Sequence, residues 1–143
     1  MTDATFEKVG RTSRCLYGPR KMLLCGFPIP AQSKFKTLME MLGLKSLPLV
    51  WASENDGETR LGQLMEQPDG SGEGIASLLP RAIIVSGVSE NELHRLMSGC
   101  RQAGMQKALW ATLTPTSETW ALNALLEELS AENKAISERT RKK

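Results

Sequence analysis

The residues best suited to chemistry lie between Leu109 and Trp120, in the run LWATLTPTSETW. Thr114, Thr116 and Ser117 place three hydroxyls around Pro115. A short apolar run precedes them and a long amphipathic run follows, so the stretch reads as strand, tight turn and helix start. Thr114 is placed as an N-cap with Pro115 in the first helical turn. Free backbone N–H groups at the positive end of a helix dipole, together with the hydroxyls of Thr116 and Ser117, could hold a phosphate or carboxylate. In an open parallel sheet this is the carboxyl end of a strand, where ligands bind. The plainer reading is that Thr114 only caps a helix. No glycine-rich phosphate fingerprint or P-loop lysine accompanies the turn, which argues against a nucleotide cofactor.

Other reactive side chains are sparse. His94 is the only histidine, and it lies at the edge of an apolar stripe. A catalytic triad would need it beside a Ser or Cys and a carboxylate. Cys25, near a strand end, and Cys100, on a helix stripe, are candidate nucleophiles, but no motif surrounds either, and both read more simply as small buried residues. The third cysteine, Cys15, makes the number odd, and there is no CxxC pair. A disulfide framework or zinc site is not expected, and no metal or other cofactor is. Trp51, Trp110 and Trp120 carry much of the aromatic mass. Core packing is the plain reading for Trp51 and Trp110, whereas Trp120 is as well suited to a partner surface. Arg101 is grouped with the three tryptophans as a candidate partner contact.

These residues need a scaffold, and 143 residues suit one domain with a real core. A net charge of +2 and 5% aromatic residues, without basic–aromatic interleaving, argue against nucleic-acid binding. Basic residues gather at the ends: Lys8, Arg11, Arg14, Arg20 and Lys21 at the start, and Arg139, Arg141, Lys142 and Lys143 at the finish. Such ends could meet an acidic partner or an anionic membrane surface, but solvated tails are the plainer reading. No apolar run is long enough to span a bilayer, and no signal peptide is expected.

Residues 1–20 read as a flexible lead-in. Met22-Leu23-Leu24-Cys25, closed by Gly26, is a buried strand. Pro28 and Pro30 stop it, and Ala31, Phe35, Leu38, Met39 and Leu42 recur at helical spacing up to Gly43. Leu47 to Ala52 is a second strand. Leu61, Leu64 and Met65 suggest a short helix, and the glycine-rich loop 68–80 joins two halves, 21–67 and 81–137, of one α/β domain. The second half repeats the first. Ala82 to Gly87 is a strand, Ser89 and Glu92 form a capping box, and Leu93, Leu96, Met97 and Cys100 give an apolar stripe that Gly104 ends. Leu109 to Leu113 is the fourth strand. Gly26 to Gly43 and Gly87 to Gly104 both span seventeen positions, as in a degenerate duplication of strand–helix–strand or in convergent βαβ spacing. A long C-terminal helix follows, with Leu122, Leu125, Leu126, Leu129 and Ile136 on one face, and residues 138–143 form a basic tail. The expected architecture is α/β: two βαβ-like halves forming a mainly parallel sheet of about four strands, with flanking helices.

The run from Arg81 to Ile136 resembles a bacterial domain family of unknown function that has plastid members. The residues that carry the resemblance are Ile83-Ile84-Val85, Glu92-Leu93, Arg101, Thr114-Pro115-Thr116-Ser117, Trp120, Leu125-Leu126, Leu129 and Glu132. Leu24-x-Gly26-Phe27 in the first half matches more loosely. A plant and algal member of that family acts in photosystem I assembly, as a stromal, thylakoid-associated factor with a membrane-bound tetratricopeptide partner and the iron–sulfur subunit. The resemblance therefore implies a non-enzymatic assembly factor in the chloroplast stroma, or otherwise in the cytoplasm, that binds protein partners, with peripheral membrane association. It implies no catalytic residues. The alternative from the residues themselves is a small enzyme or ligand-binding domain that takes an anion at Thr114, Thr116 and Ser117.

Overall fold

The computed structural model describes residues 15–141, with the side chains of the last helix described as far as Lys134. The lead-in up to Arg14, with Lys8 and Arg11, and the last two residues of the basic tail, Lys142 and Lys143, lie outside the described residues, as do the side chains of Ile136, Arg139 and Arg141; the backbone of residues 138–141 continues the last helix.

Four strands form one sheet in the order β2-β1-β3-β4: β1 (Lys21–Cys25), β2 (Leu49–Ala52), β3 (Ala82–Ser86) and β4 (Leu109–Thr112). Successive residues of β1 to β3 face opposite sides, and both sides are covered, so the strands are apolar throughout rather than alternating. Helices α1 (Ile29–Met41) and α3 (Glu90–Gln102) cover one face. Phe35 and Met39 of α1 and Leu96 of α3 pack there on Met22, Leu24, Trp51, Ile83 and Val85. The short α2 (Leu61–Leu64) and the long α4 (Leu122–Arg141) cover the other. On that side Leu61, Leu64, Leu122, Leu125 and Leu126 pack on Leu23, Val50 and Ile84.

The α/β architecture is thus the one expected, with two of its three strand pairings parallel. β1 runs parallel to β2, and β3 to β4. The central pair is antiparallel, with Leu23 opposite Ile84. That junction relates the halves by a pseudo-twofold axis near Leu23 and Ile84. Each half crosses from its inner to its outer strand through a helix of 13 residues. Each helix ends in the same way. Gly43 N–H donates to Glu40 O and Leu44 N–H to Met39 O, while Gly104 N–H donates to Arg101 O and Met105 N–H to Cys100 O. Gly43 and Gly104 take φ of 76° and 71°, a left-handed backbone that ends a helix cheaply only at glycine.

Two local expectations are corrected. Residues 15–20 are tied down rather than a free lead-in: Leu16 N–H donates to Val88 O, Gly87 N–H to Tyr17 O, and Arg20 pairs with Glu92. The last helix begins at Leu122, not at Pro115. Thr114, Thr116 and Ser117 instead shape a separate turn followed by a single 3-10 turn, Ser117–Thr119.

Candidate functional site

The Thr114 turn is closed on itself. Ser117 N–H donates to Thr114 Oγ1 at 2.9 Å, Thr114 N–H to Ser117 Oγ at 3.0 Å, and Glu118 N–H to Thr114 O at 3.0 Å. Pro115 has no N–H to offer. Thr116 is exposed, and its carbonyl accepts from Thr119 Oγ1 at 2.9 Å. The donors that an anion would need are therefore largely spent on the turn, and the long helix dipole starts five residues further on. The physical reason is local: two hydroxyls three residues apart satisfy each other's backbone more readily than they open a helix.

The three tryptophans go to different places. Trp51 is buried in the core, edge-on to Phe27 at 5.6 Å and to Phe35 at 6.3 Å between ring centroids. The partner contact expected of it is corrected accordingly. Trp120 is half-buried on the opposite side of the sheet, in extended backbone just before α4, and its carbonyl accepts from Leu61 N–H at 2.9 Å. Trp110 lies near the start of β4, half-buried on the α1–α3 face. There it meets Arg101 at a pocket of about 420 Å³, between the end of α3, the start of β4 and the sheet.

This pocket is the best-formed site among the described residues. Its floor is Phe27, Phe35 and Ile83, and its walls include Cys100 and Trp110. The ionisable groups that line it are Arg81, Cys100, Arg101 and Lys107, three cations and a thiol. Burial pushes the Cys100 thiol up to about 11, so it is protonated at neutral pH and is no ready nucleophile. Cys25, in the core beside β2, is pushed up to about 12 by the same cause, with the Asp56 carboxylate adding to it. His94 sits on the exposed side of α3, away from the pocket lining. Among the described residues no three His, Cys, Asp or Glu side chains gather as a metal site would require.

Arg81 is the candidate site residue that the sequence reasoning did not single out. It is only 9% exposed, and its guanidinium stacks over the Phe27 ring at 4.2 Å. Its Nε–H donates to Gly26 O at 2.9 Å. Gly26 sets this up: with φ of 78°, it lets the chain before β3 come so close that a Cβ there would lie 2.5 Å from Leu79 O and 2.8 Å from Arg81 Cα. Burial lowers the pKa of Arg81 from its ordinary value, yet a guanidinium stays charged at neutral pH. Among the described residues no carboxylate is paired with it. A buried charge without a counterion is costly unless something else supplies one.

The correspondence of the two halves shows what is missing. Arg20 precedes β1 as Arg81 precedes β3, 61 positions apart. Arg20 is held by Glu92, the third residue of α3, with Nη1 and Nη2 at 2.7 and 2.6 Å from the two carboxylate oxygens. The corresponding third residue of α1 is Ala31. That 61-residue offset, applied to charged residues as well as to glycines, is the signal in the sequence that could have singled out Arg81.

Residues 81–136 match the family described as Domain of unknown function (DUF3783). The match begins at Arg81 and takes in β3, α3, β4 and most of α4, and so carries the cationic side of the pocket. It is also the span over which the sequence resembles a domain family of unknown function. No curated protein and no solved structure matches the chain.

Proposed function

We propose that this protein is a non-enzymatic binding module, an assembly or scaffold factor that engages a protein partner through the pocket between α3 and β4. The observation that supports this reading is the meeting of Trp110, Arg101 and Arg81 around one apolar cavity. Aromatic and arginine side chains around a concave apolar floor are the composition of a binding hot spot. The thiol in the cavity is protonated and its other ionisable groups are cations, a set suited to holding an anionic group rather than to moving protons. The finer role, assembly of photosystem I at the stromal face of the thylakoid with a membrane-bound tetratricopeptide protein and the iron–sulfur subunit, is supported by the motif resemblance alone and belongs to the same proposal.

The test is affinity capture from the native source with the full chain and with a Trp110→Ala, Arg101→Glu double variant, read by mass spectrometry. The reading expects partners that the double variant loses. Photosystem I subunits or their assembly proteins among them would support the finer role. Capture that is identical for the two baits overturns the pocket as the binding surface.

A further inference from the structure

The molecule carries two pockets at corresponding places in its halves. A shift of 61 positions carries Met39, Glu40 and Leu49, which line a smaller pocket of about 220 Å³, onto Cys100, Arg101 and Trp110 of the larger one. The smaller pocket is walled by the chain's own residues Asp69, Gly70 and Glu73. Their segment lies along the outer edge of β2 as a run of turns, tied to the strand by backbone hydrogen bonds. Gly70 N–H donates to Leu49 O and Trp51 N–H to Ser71 O, each at 2.8 Å. Leu49 N–H donates to the Asp69 carboxylate at 2.8 Å, and Glu73 pairs with Lys36 at 2.7 Å. Gly72 permits the approach, since a Cβ there would sit 2.0 Å from Trp51 O.

The outer edge of β4 has no such cover among the described residues. Leu109 and Leu113 turn their N–H groups inward, to Arg81 O and Val85 O, each at 2.9 Å. By the alternation of a parallel ladder, Trp110 and Thr112 point their N–H groups outward, as Leu49 and Trp51 do on β2. An unpaired strand edge is a template for another strand. The charge of the two sides differs: Lys36, Glu40 and Lys45 on the β2 side correspond to Met97, Arg101 and Gln106 on the β4 side, and among the described residues Arg81 lacks the carboxylate that Arg20 has.

We propose that the β4 edge takes an acidic, extended segment of a partner protein, hydrogen-bonded to the outward N–H groups of Trp110 and Thr112 as Asp69 and Ser71 are to those of Leu49 and Trp51, with a carboxylate reaching Arg81. The proposal rests on the partner-binding reading and names the partner's chemistry. The internal segment shows that an acidic stretch of chain can take these outward N–H groups: the Asp69 carboxylate accepts from Leu49 and Ser71 O from Trp51. The cations around the larger pocket supply the complementary charge.

A displayed library of random octapeptides, selected on the full chain at low and at physiological salt, tests it. The expected binders are rich in Asp and Glu around an apolar residue. Arg81→Met should weaken a selected peptide by about tenfold or more, the cost of a lost hydrogen-bonded charge. Thr112→Pro should do the same by removing an outward donor, since proline is tolerated at a sheet edge. Thermal unfolding checks that each variant is folded. A second measurement needs no variant: in the wild-type chain the peptide should slow hydrogen exchange at the Trp110 and Thr112 amides. Neutral or basic binders, no binders, or a peptide that leaves those two amides unprotected overturns the inference. A small amphiphilic anion that fills the pocket without protecting them does so too. If native partners are still lost from the Trp110, Arg101 double variant in that case, the partner-binding reading stands without the strand pairing. Acidic peptides that bind as described, with no native partner captured, would support the strand pairing and count against the assembly role.

Discussion

Arg20 and Arg81 occupy the same place in the two halves, yet among the described residues only Arg20 has a carboxylate: Glu92 holds it in a two-pronged ion pair, and Ala31 stands where Arg81 would look for its own. The asymmetry can be erased by one substitution. Ala31→Glu should give Arg81 an internal partner in the first turn of α1, where a negative charge also suits the helix dipole. The melting temperature should hold or rise, with a gain of about 0.3–1 kcal/mol from the dipole contact. Capture of native partners should fall, because the pocket's buried cation is then already paired. Unfolding and pull-down measured on the same protein give both readouts, and a variant that captures partners as well as the wild type would count against Arg81 as the anion contact.

The ion pair that does exist makes stability depend on pH in a defined direction. Arg20 holds the Glu92 carboxyl down to about 2, aided by the Ser89 backbone and opposed by burial. A carboxyl depressed in the folded state stabilises fully above its ordinary value of 4.5, and that contribution is lost as the pH falls from there towards 2. Denaturant midpoints of the wild type should therefore drop across that window more steeply than those of Glu92→Gln. Parallel curves would show that the pair contributes nothing to the acid limb.

Ser89 caps α3 through the reciprocal bonds predicted from its spacing: Glu92 N–H donates to Ser89 Oγ at 3.1 Å, and Ser89 N–H to Glu92 Oε1 at 3.0 Å. Ser89→Ala should cost about 1 kcal/mol of stability, the ordinary worth of such a cap. Chemical denaturation measures it directly.

Gly26 is the backbone position that brings Arg81 to the pocket. Gly26→Ala places a methyl group against Leu79 O, Pro80 O and Arg81 Cα and forces a φ of 78° on a residue with a Cβ. A loss of about 1–3 kcal/mol follows from the strain alone. Because Arg81 Nε donates to Gly26 O, partner capture should suffer beyond what the loss of stability explains. Capture at a temperature where the variant is still fully folded separates the two effects.

The cysteines should alkylate in an order set by burial. Cys15 is exposed, Cys100 is half-buried in the pocket wall, and Cys25 is in the core. With the Cys100 thiol at about 11 and Cys25 at about 12, neither holds much thiolate near neutral pH. Iodoacetamide on the native protein should mark Cys15 first, then Cys100 as the pH rises, and Cys25 only after unfolding. Peptide mapping over time reads the order, and early labelling of Cys25 would contradict its place in the core.

Much of this fold is legible in the chain. The apolar runs at Met22 to Cys25 and Ala82 to Val85, the glycines that end them, the Ser89–Glu92 box and the equal spacing from Gly26 to Gly43 and Gly87 to Gly104 are local signals, and each corresponds to a local structure. The direction in which the two halves join is not local. A strand that is apolar on both faces packs equally well either way up, so nothing in Met22 to Cys25 distinguishes an antiparallel from a parallel neighbour. The turn at Thr114 misleads for a related reason: its residue types suit a helix cap, but the hydroxyls of Thr114 and Ser117 satisfy their own turn, and the helix waits for Leu122 to reach the core. Residue type and spacing thus determined the elements, their order and the likeness of the two halves. Only the tertiary structure decided that the antiparallel β1–β3 junction brings Phe27 beside Arg81, seals one sheet edge with the chain's own acidic loop and leaves the other with a buried arginine. Short-range preferences are written in each segment, whereas burial of a charge and completion of an edge depend on residues far apart in the chain.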